Sequence, residues 1–153
     1  MEGYSKVLVP VSGKLRLARA AFSLEHALRV VQENGEIGFL HCADKTSHLI
    51  TDEEHMKLTM GDTMETEKLF GPLVVTAKNA GIKYSVLVVS GSPMTHISRV
   101  ASERSFDVVV MCADHKGPVK RAMGSITERV FQELSVPLLI VHHAPTLAAK
   151  NDV

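Results

Sequence analysis

Apolar residues along this chain alternate between short continuous runs and stripes with helical spacing. The runs fall at residues 7–11, 37–42, 84–89, 108–111 and 138–141, and the run at 108–111 is mostly β-branched. Runs of this length with little polar alternation are typical of parallel strands that are covered on both faces. The pattern therefore predicts five buried strands.

Stretches with helical spacing separate these runs. Apolar residues recur every three or four positions from Leu17 to Val31, as in a helix packed on a sheet, and Asn34-Gly35 is predicted to end it. Ser92-Pro93 is typical of a helix start, where a cap residue precedes a proline at the first helical position. This later helix is expected to bury Ile97, Val100 and Ala101.

The middle of the chain predicts a longer helix. Thr51 and Glu54 match a cap residue and the third helical position, and the methionines at positions 56, 60 and 64 would share one helical face. Gly71-Pro72 is expected to break or kink this helix before it resumes from Leu73 to Asn79. We therefore expect a helix in two parts between the second and third strands.

The clearest unit is a strand, a glycine-bearing loop, a helix and a strand within residues 107–143. Ser125 is predicted to cap this helix, and Glu128 would complete a capping box. A helix that starts just beyond the carboxyl end of a strand favours anions, because its first N–H groups and its dipole both attract negative charge. Pro137 opens the closing strand.

The order of elements is β-α-β-α-β-α-β-α-β, without internal repeats. This alternation predicts an α/β fold, a single domain over residues 1–146 with a parallel sheet and helices on both of its faces. Residues 147–153 are expected to form a disordered tail. A chain of 153 residues is long enough for one three-layer core.

Composition narrows the classes of function. The 17 basic and 17 acidic residues balance, which argues against nucleic acid as a partner and against membrane association. No segment predicts a membrane span or a signal peptide, so we expect a cytoplasmic protein. Two cysteines without clustered spacing argue against a disulfide framework and a zinc ribbon.

Two stretches carry a resemblance to a known family. The glycine-bearing loop that ends in Gly124-Ser125, followed by a helix and by Val136-Pro-Leu-Leu-Ile-Val141, resembles the last third of the universal stress protein family, and Lys6-Val-Leu-Val-Pro-Val11 resembles its first strand. The likeness covers roughly residues 4 to 143. It implies an open five-stranded, Rossmann-like sheet of strand order 3-2-1-4-5, similar to adenine-nucleotide alpha-hydrolases. Ligands of such sheets bind where the winding reverses, here between the first and fourth strands.

The resemblance also implies a binding site for ATP or another adenine nucleotide, with Mg present only together with the nucleotide. Nucleotide-binding members carry an Asp after the first strand and a pattern of Gly-x-x-Gly, nine residues, then Gly-Ser or Gly-Thr. Transferred to this chain, and with the basic residues of the loop added, the predicted nucleotide-binding residues are Pro10, Val11, Ser12, Cys42, Cys112, His115, Lys116, Lys120, Arg121, Gly124, Ser125, Ile126 and Thr127.

This chain departs from the family pattern at three of these positions. Ser12 replaces the Asp, while Cys112 and His115 replace the two early glycines, and eight rather than nine residues precede Gly124. Side chains at the two glycine positions obstruct the close approach of backbone N–H groups to a phosphate. The basic residues of the loop, Lys116, Lys120 and Arg121 with His115, would then supply charged partners in their place.

Catalytic and metal sites find less support. No catalytic set of nucleophile, base and acid stands out, so we do not expect an enzyme. The weaker alternative is a slow nucleotide hydrolase in which Asp114 holds a magnesium ion. Cys112-x-x-His115, His142-His143 and the pair His48 and His55 have ligand-like residue types, but no four-ligand set is complete, and we predict no metal site.

The resulting hypothesis is a stress-response or regulatory module that binds an adenine nucleotide weakly or in an altered pose. The alternative is an interaction module without nucleotide, acting on a transporter or signalling protein. The resemblance implies a homodimer, and an apolar edge strand is best protected by pairing with its own copy. The residues predicted to pair are Leu138, Leu139, Ile140 and Val141.

Overall fold

The computed structural model describes residues 2–11, 16–43, 56–58, 64–113 and 124–142. The predicted domain boundary at residue 146 and the tail 147–153 lie outside these ranges. In chain order the elements are β1 (Tyr4–Pro10), α1 (Arg16–Val30), β2 (Val31–Ala43), β3 (Met56–Leu58), α2 (Met64–Asn79), β4 (Lys83–Ser90), α3 (Pro93–Glu103), β5 (Val108–Cys112), α4 (Ser125–Glu133) and β6 (Leu138–Val141).

The sheet has the strand order β3-β4-β2-β1-β5-β6. Five of these strands are parallel, and they are the five predicted from the apolar runs. Numbered among themselves, they lie in the order 3-2-1-4-5, which confirms the predicted topology. The first strand thus lies at the centre of the sheet, between β2 and β5.

The sixth strand corrects the prediction for the middle of the chain. Met56–Leu58 forms β3, which pairs antiparallel with β4, Met56 lying opposite Val89 and Leu58 opposite Leu87. The predicted helix from Thr51 is therefore wrong at these residues, and Thr51 itself lies outside the described residues. A strand at this position satisfies backbone groups on the edge of β4 that a helix would leave unpaired.

Each face of the sheet is covered by a pair of helices. On one face α1 and α2 contribute Leu24, Phe70 and Leu73 to a buried cluster with Val7, Val9 and Phe39 of the strands. On the other face α3 and α4 contribute Ile97, Val100, Ala101 and Val130, which pack against Leu8, Leu40 and Val109. Consecutive strand residues alternate between these clusters, as the pleat requires. The predicted buried stripe of α3 is confirmed.

The junction of α1 and β2 differs from the sequence prediction. The helix ends at Val30, and β2 begins at the next residue, so Asn34-Gly35 lies in the strand and does not cap the helix. Gly35 is buried, and a Cβ there would lie 2.6 Å from Cγ2 of Val31 and 3.0 Å from the carbonyl oxygen of Ser5. The glycine is therefore explained by close approach of earlier residues of β2 and of β1, and not by a left-handed cap.

Helix α2 runs through Pro72 instead of breaking there. Its end is a Schellman motif: the N–H of Gly81 donates to the carbonyl of Lys78 (3.0 Å), and the N–H of Ile82 donates to that of Ala77 (3.1 Å). Gly81 has a φ of 71°, the left-handed conformation that this motif requires. The motif places Ile82 against the core and directs the chain into β4.

Candidate functional site

The winding of the sheet reverses between β1 and β5. The connections from β1 to β2 and from β2 to β4 carry α1 and α2 on one face, whereas α3 and α4 connect the remaining parallel strands on the other face. Loops after β1 and β5 therefore diverge to opposite faces and leave a crevice at the carboxyl ends of the central strands. Of the predicted site residues, the structure brings Pro10, Val11, Cys42 and Cys112 to this edge.

Val11 lies at the floor of the crevice and bonds to β2 through both of its backbone groups. Its N–H donates to the carbonyl of Leu40 (2.7 Å). Its carbonyl oxygen lies 2.9 Å from Nδ1 of His41, and because a carbonyl can only accept, Nδ1 of that histidine carries the proton. This side-chain bond joins β1 and β2 just where the sheet ends.

His41 was not among the predicted site residues. Its ring is half-buried and meets the ring of Phe70 edge-on, with the centroids 6.4 Å apart. A histidine one residue before Cys42, near the end of an otherwise apolar strand, is the signal that sequence reasoning could have used. The residue belongs to the face of the sheet covered by α1 and α2.

Cys42 and Cys112 lie on strands on either side of β1. Cys42 is half-buried and packs against the cluster of α3 and α4, as does Ile126 of α4. Cys112 is 7% exposed and lies opposite Val141 of β6. The two thiols form no disulfide, because a whole strand separates them.

Helix α4 follows β5 in the chain, and its second residue, Ile126, packs on the same cluster as Cys42. The start of this helix corrects the predicted cap. Gly124 is the N-cap residue, with φ 83° and ψ 160°, and Ser125 is the first residue of the helix. The N–H of Glu128 donates to the carbonyl of Gly124 (3.1 Å), so Glu128 is one position too late for a capping box. This conformation is essentially restricted to glycine, and it explains why a glycine stands here.

The first turn of α4 also has a polar residue in a buried position. Thr127 is 0% exposed, and Ile126 packs on the apolar cluster beneath it. Helix amides at an N-terminus have no carbonyl four residues before them and present the positive end of the dipole. The start of α4 therefore combines backbone donors with a glycine that allows close approach, which are features suited to an anion.

The remaining predicted residues lie outside the described residues: Ser12, His115, Lys116, Lys120, Arg121 and also Asp114. In the part of the chain that the structure describes, no group of three or more His, Cys, Asp or Glu side chains could hold a metal ion. Among the same residues, no helix is both long and apolar enough to span a membrane.

A second concave surface lies at the opposite end of the sheet. This open groove of about 1010 Å³ is formed by the start of β1 and by the junction of α1 with β2. It contains none of the predicted site residues; its lining residues are Glu2, Gly3, Tyr4, Arg29, Val30, Val31, Gln32, Glu33 and Asn34.

This protein is an open, doubly wound α/β domain whose winding reverses between β1 and β5. The model of the universal stress protein family matches residues 3–142, and the chain belongs to that family. This confirms the resemblance recognised in the sequence. No match was found among the curated proteins.

Several solved structures share the fold. A universal stress protein in complex with cAMP is 17% identical, with a TM-score of 0.65 over 92% of this chain and 98% of that one. A family member from Arabidopsis thaliana with AMP bound is 15% identical, with a TM-score of 0.60 over 94% of each chain. A universal stress protein from Archaeoglobus fulgidus is 20% identical, with a TM-score of 0.62 over 90% and 98%.

Proposed function

We propose that this protein is a regulatory module of the stress response that binds an adenine nucleotide weakly at the crevice between β1 and β5. The observation that carries the proposal is the start of α4, where Gly124 adopts a conformation restricted to glycine beside the switch point of the sheet. Two structures with this fold contain AMP or cAMP, which supports an adenine nucleotide as the ligand.

In this arrangement the phosphate lies at the start of α4. The amides of Ser125 and Ile126 face it. The basic loop residues, Lys116, Lys120 and Arg121 with His115, take the place of the backbone donors that the missing glycines would have allowed. The sugar and base then extend over β1 toward Cys42 on β2. Ser12 offers one hydroxyl where an Asp would offer a carboxylate, and this difference is the reason for expecting weak affinity or an altered pose.

We place the module outside the enzymes, since no catalytic set of nucleophile, base and acid stands out in its sequence. It acts as a cytoplasmic homodimer. Edge strand β6 supports the dimer: all four of its residues are apolar, and Leu139 is 37% exposed.

Substituting Gly124 tests the site. Gly124→Ala forces a side chain into a glycine conformation, so we expect nucleotide affinity to fall at least tenfold as the amides move away from the phosphate. Isothermal titration with AMP, ADP and ATP, on protein freed of co-purified nucleotide, measures this change. An affinity within twofold of the wild type would show that the start of α4 is not the phosphate site.

Gly81→Ala is the matched control. Gly81 also has a positive φ, 71°, but it ends α2 beside the start of β4, at the opposite end of the sheet from the crevice. Both variants lose stability through backbone strain, by about 1–2 kcal/mol, and only the change at Gly124 should weaken binding.

The interaction module without nucleotide remains the second candidate, because Ser12, Cys112 and His115 replace residues of the nucleotide pattern. Under that function, heat-denatured wild-type protein releases no nucleotide, and titration gives no heat with AMP, ADP or ATP. Gly124→Ala would then leave partner binding unchanged.

A further inference from the structure

The carboxyl end of β4 has a histidine packed directly on its backbone. A Cβ at Gly91 would lie 2.7 Å from Nε2 of His96 and 3.2 Å from its Cδ2, so the absence of a side chain at Gly91 makes room for the ring. Gly91 also has a φ of 122°, a conformation that other residues rarely adopt. The half-buried imidazole is therefore held against the sheet edge and does not extend freely into solvent.

His96 extends the buried stripe of α3 past the end of the sheet. The stripe consists of Ile97, Val100 and Ala101, and His96 precedes Val100 by four residues, so both lie on the same side of the helix. The carboxyl ends of the strands lie below the first turn of α3, since Ser92 caps this helix two residues after β4 ends. A residue at the start of the stripe consequently faces the edge of the sheet.

The strand order places this histidine at one end of the proposed nucleotide site. The strands at this end of the sheet lie side by side in the order β4, β2, β1 and β5. Along the face covered by α3 and α4, His96 and Gly91 therefore lie at the end of β4, Cys42 lies at the end of β2, and Gly124 follows β5 beyond the end of β1. Cys42 lies opposite Val89, two residues before Gly91. Three strand spacings of about 4.8 Å separate β5 from β4, or roughly 14 Å.

A mononucleotide has its phosphate at one end, its base at the other and the ribose between them. With the phosphate at the start of α4 and the ribose over β1, the base reaches over β2 and meets Cys42 and then His96. We propose that His96 closes the base end of the crevice and hydrogen-bonds to the edge of the purine, so that it determines selectivity for the base. This inference rests on the proposed nucleotide binding.

An imidazole suits this role chemically. Nε2 is the ring atom nearest to Gly91, which leaves Nδ1 for the ligand. Depending on the tautomer, Nδ1 donates to a ring nitrogen of adenine or accepts from its amino group. A site that hydrogen-bonds a ligand group discriminates strongly against analogues that lack it, because its own polar atoms are then left unpaired.

Comparison of AMP with ribose 5-phosphate, which lacks the base, tests the proposal by calorimetric titration. His96→Leu fills the space over Gly91 but cannot hydrogen-bond, and we expect at least fivefold weaker AMP binding with unchanged ribose 5-phosphate binding. His96→Gln restores a donor and an acceptor and should keep AMP affinity within about twofold. His26→Leu, at a half-buried histidine on the opposite face, should change neither ligand.

The outcomes separate this inference from the proposed function. If wild-type protein binds AMP and His96→Leu binds it equally well, the role of His96 is refuted while nucleotide binding stands. Equal loss of both ligands in His96→Leu would also refute it, because the residue would then act through the fold. A wild type that binds neither ligand overturns the proposed function and this inference with it.

Discussion

At the scale of single residues, glycines in this protein meet two different physical demands. Gly124 and Gly81 adopt backbone conformations with positive φ that side chains disfavour. Gly38 instead provides space, since a Cβ there would lie 2.5 Å from Cζ and 2.7 Å from Cε1 of Phe106. The amino-acid sequence does not distinguish these demands, because the ring that packs on Gly38 comes from a residue 68 positions later.

Gly38→Ala tests the packing demand. Phe106 is 3% exposed, and Nζ of Lys6 lies 4.7 Å from the centroid of its ring. The ring therefore has little freedom to move away from a new methyl group. We expect the free energy of unfolding to fall by about 1–3 kcal/mol, the usual cost of overpacking a core. Urea denaturation monitored by circular dichroism measures the change.

A double-mutant cycle provides the control for Gly38→Ala. Phe106→Leu removes the two ring atoms nearest to the new methyl group, so the double variant should lose less stability than the sum of the single variants. Additivity within about 0.5 kcal/mol would mean that the contact with Phe106 does not explain the effect.

At the scale of elements, α2 shows how tertiary packing overrides a local signal. Pro72 lacks an N–H and lies inside the helix, yet the helix continues to Asn79. Phe70 and Leu73, on either side of the proline, are each 1% exposed in the core. Their burial stabilises helix on both sides of Pro72, which explains why the predicted break is absent.

Pro72→Ala should therefore stabilise the protein. Alanine restores the missing N–H donor and is favoured over proline inside a helix by about 3 kcal/mol, part of which is offset by the greater freedom of the unfolded chain. We expect a gain of roughly 1–2 kcal/mol, measured by thermal denaturation. A loss of stability would show instead that the core contacts of Phe70 and Leu73 depend on a bend at the proline.

At the scale of the whole molecule, β6 is an edge strand of the sheet formed by the described residues. It pairs with β5 through residues from Leu138 to Val141, and the strand order places no described strand on its other side. An uncharged, apolar edge strand is prone to pair with another chain. The proposed homodimer would satisfy these backbone groups and cover Leu139.

Leu139→Lys tests this dimer. A lysine on an edge strand opposes pairing, since two copies would bring like charges together, and we expect the dissociation constant of the dimer to rise at least tenfold. Sedimentation equilibrium at several concentrations measures it. Val75→Lys is the matched control, since Val75 is 56% exposed on α2. The dissociation constant of this variant's dimer should equal that of the wild type. If both variants dissociate equally, or if neither does, β6 is not the interface.

Part of this fold could be predicted from the sequence, and part of it could not. The five parallel strands and the buried stripe of α3 follow from apolar periodicity, and the strand order followed from the family resemblance. Helix ends were less predictable: Ser125 and Asn34-Gly35 looked like caps, but neither has that role. Which residue caps a helix depends on the backbone dihedral angles of one or two residues. The type of residue favours certain angles but does not fix them.

The pattern of apolar residues along the chain was enough to predict the alternation of strands and helices and hence an α/β fold, because burial of periodic apolar side chains dominates the free energy of folding. The strand order and the position of the crevice came from the resemblance to the universal stress protein family. Three features became visible in the folded protein alone: His41 donates to Val11, His96 packs on Gly91, and Met56–Leu58 extends the sheet. The hydrogen bond between His41 and Val11 and the pairing of β3 with β4 join residues about 30 positions apart. The contact between His96 and Gly91 depends on the unusual φ angle of Gly91. Such contacts are stabilised by packing geometry that no local sequence pattern encodes.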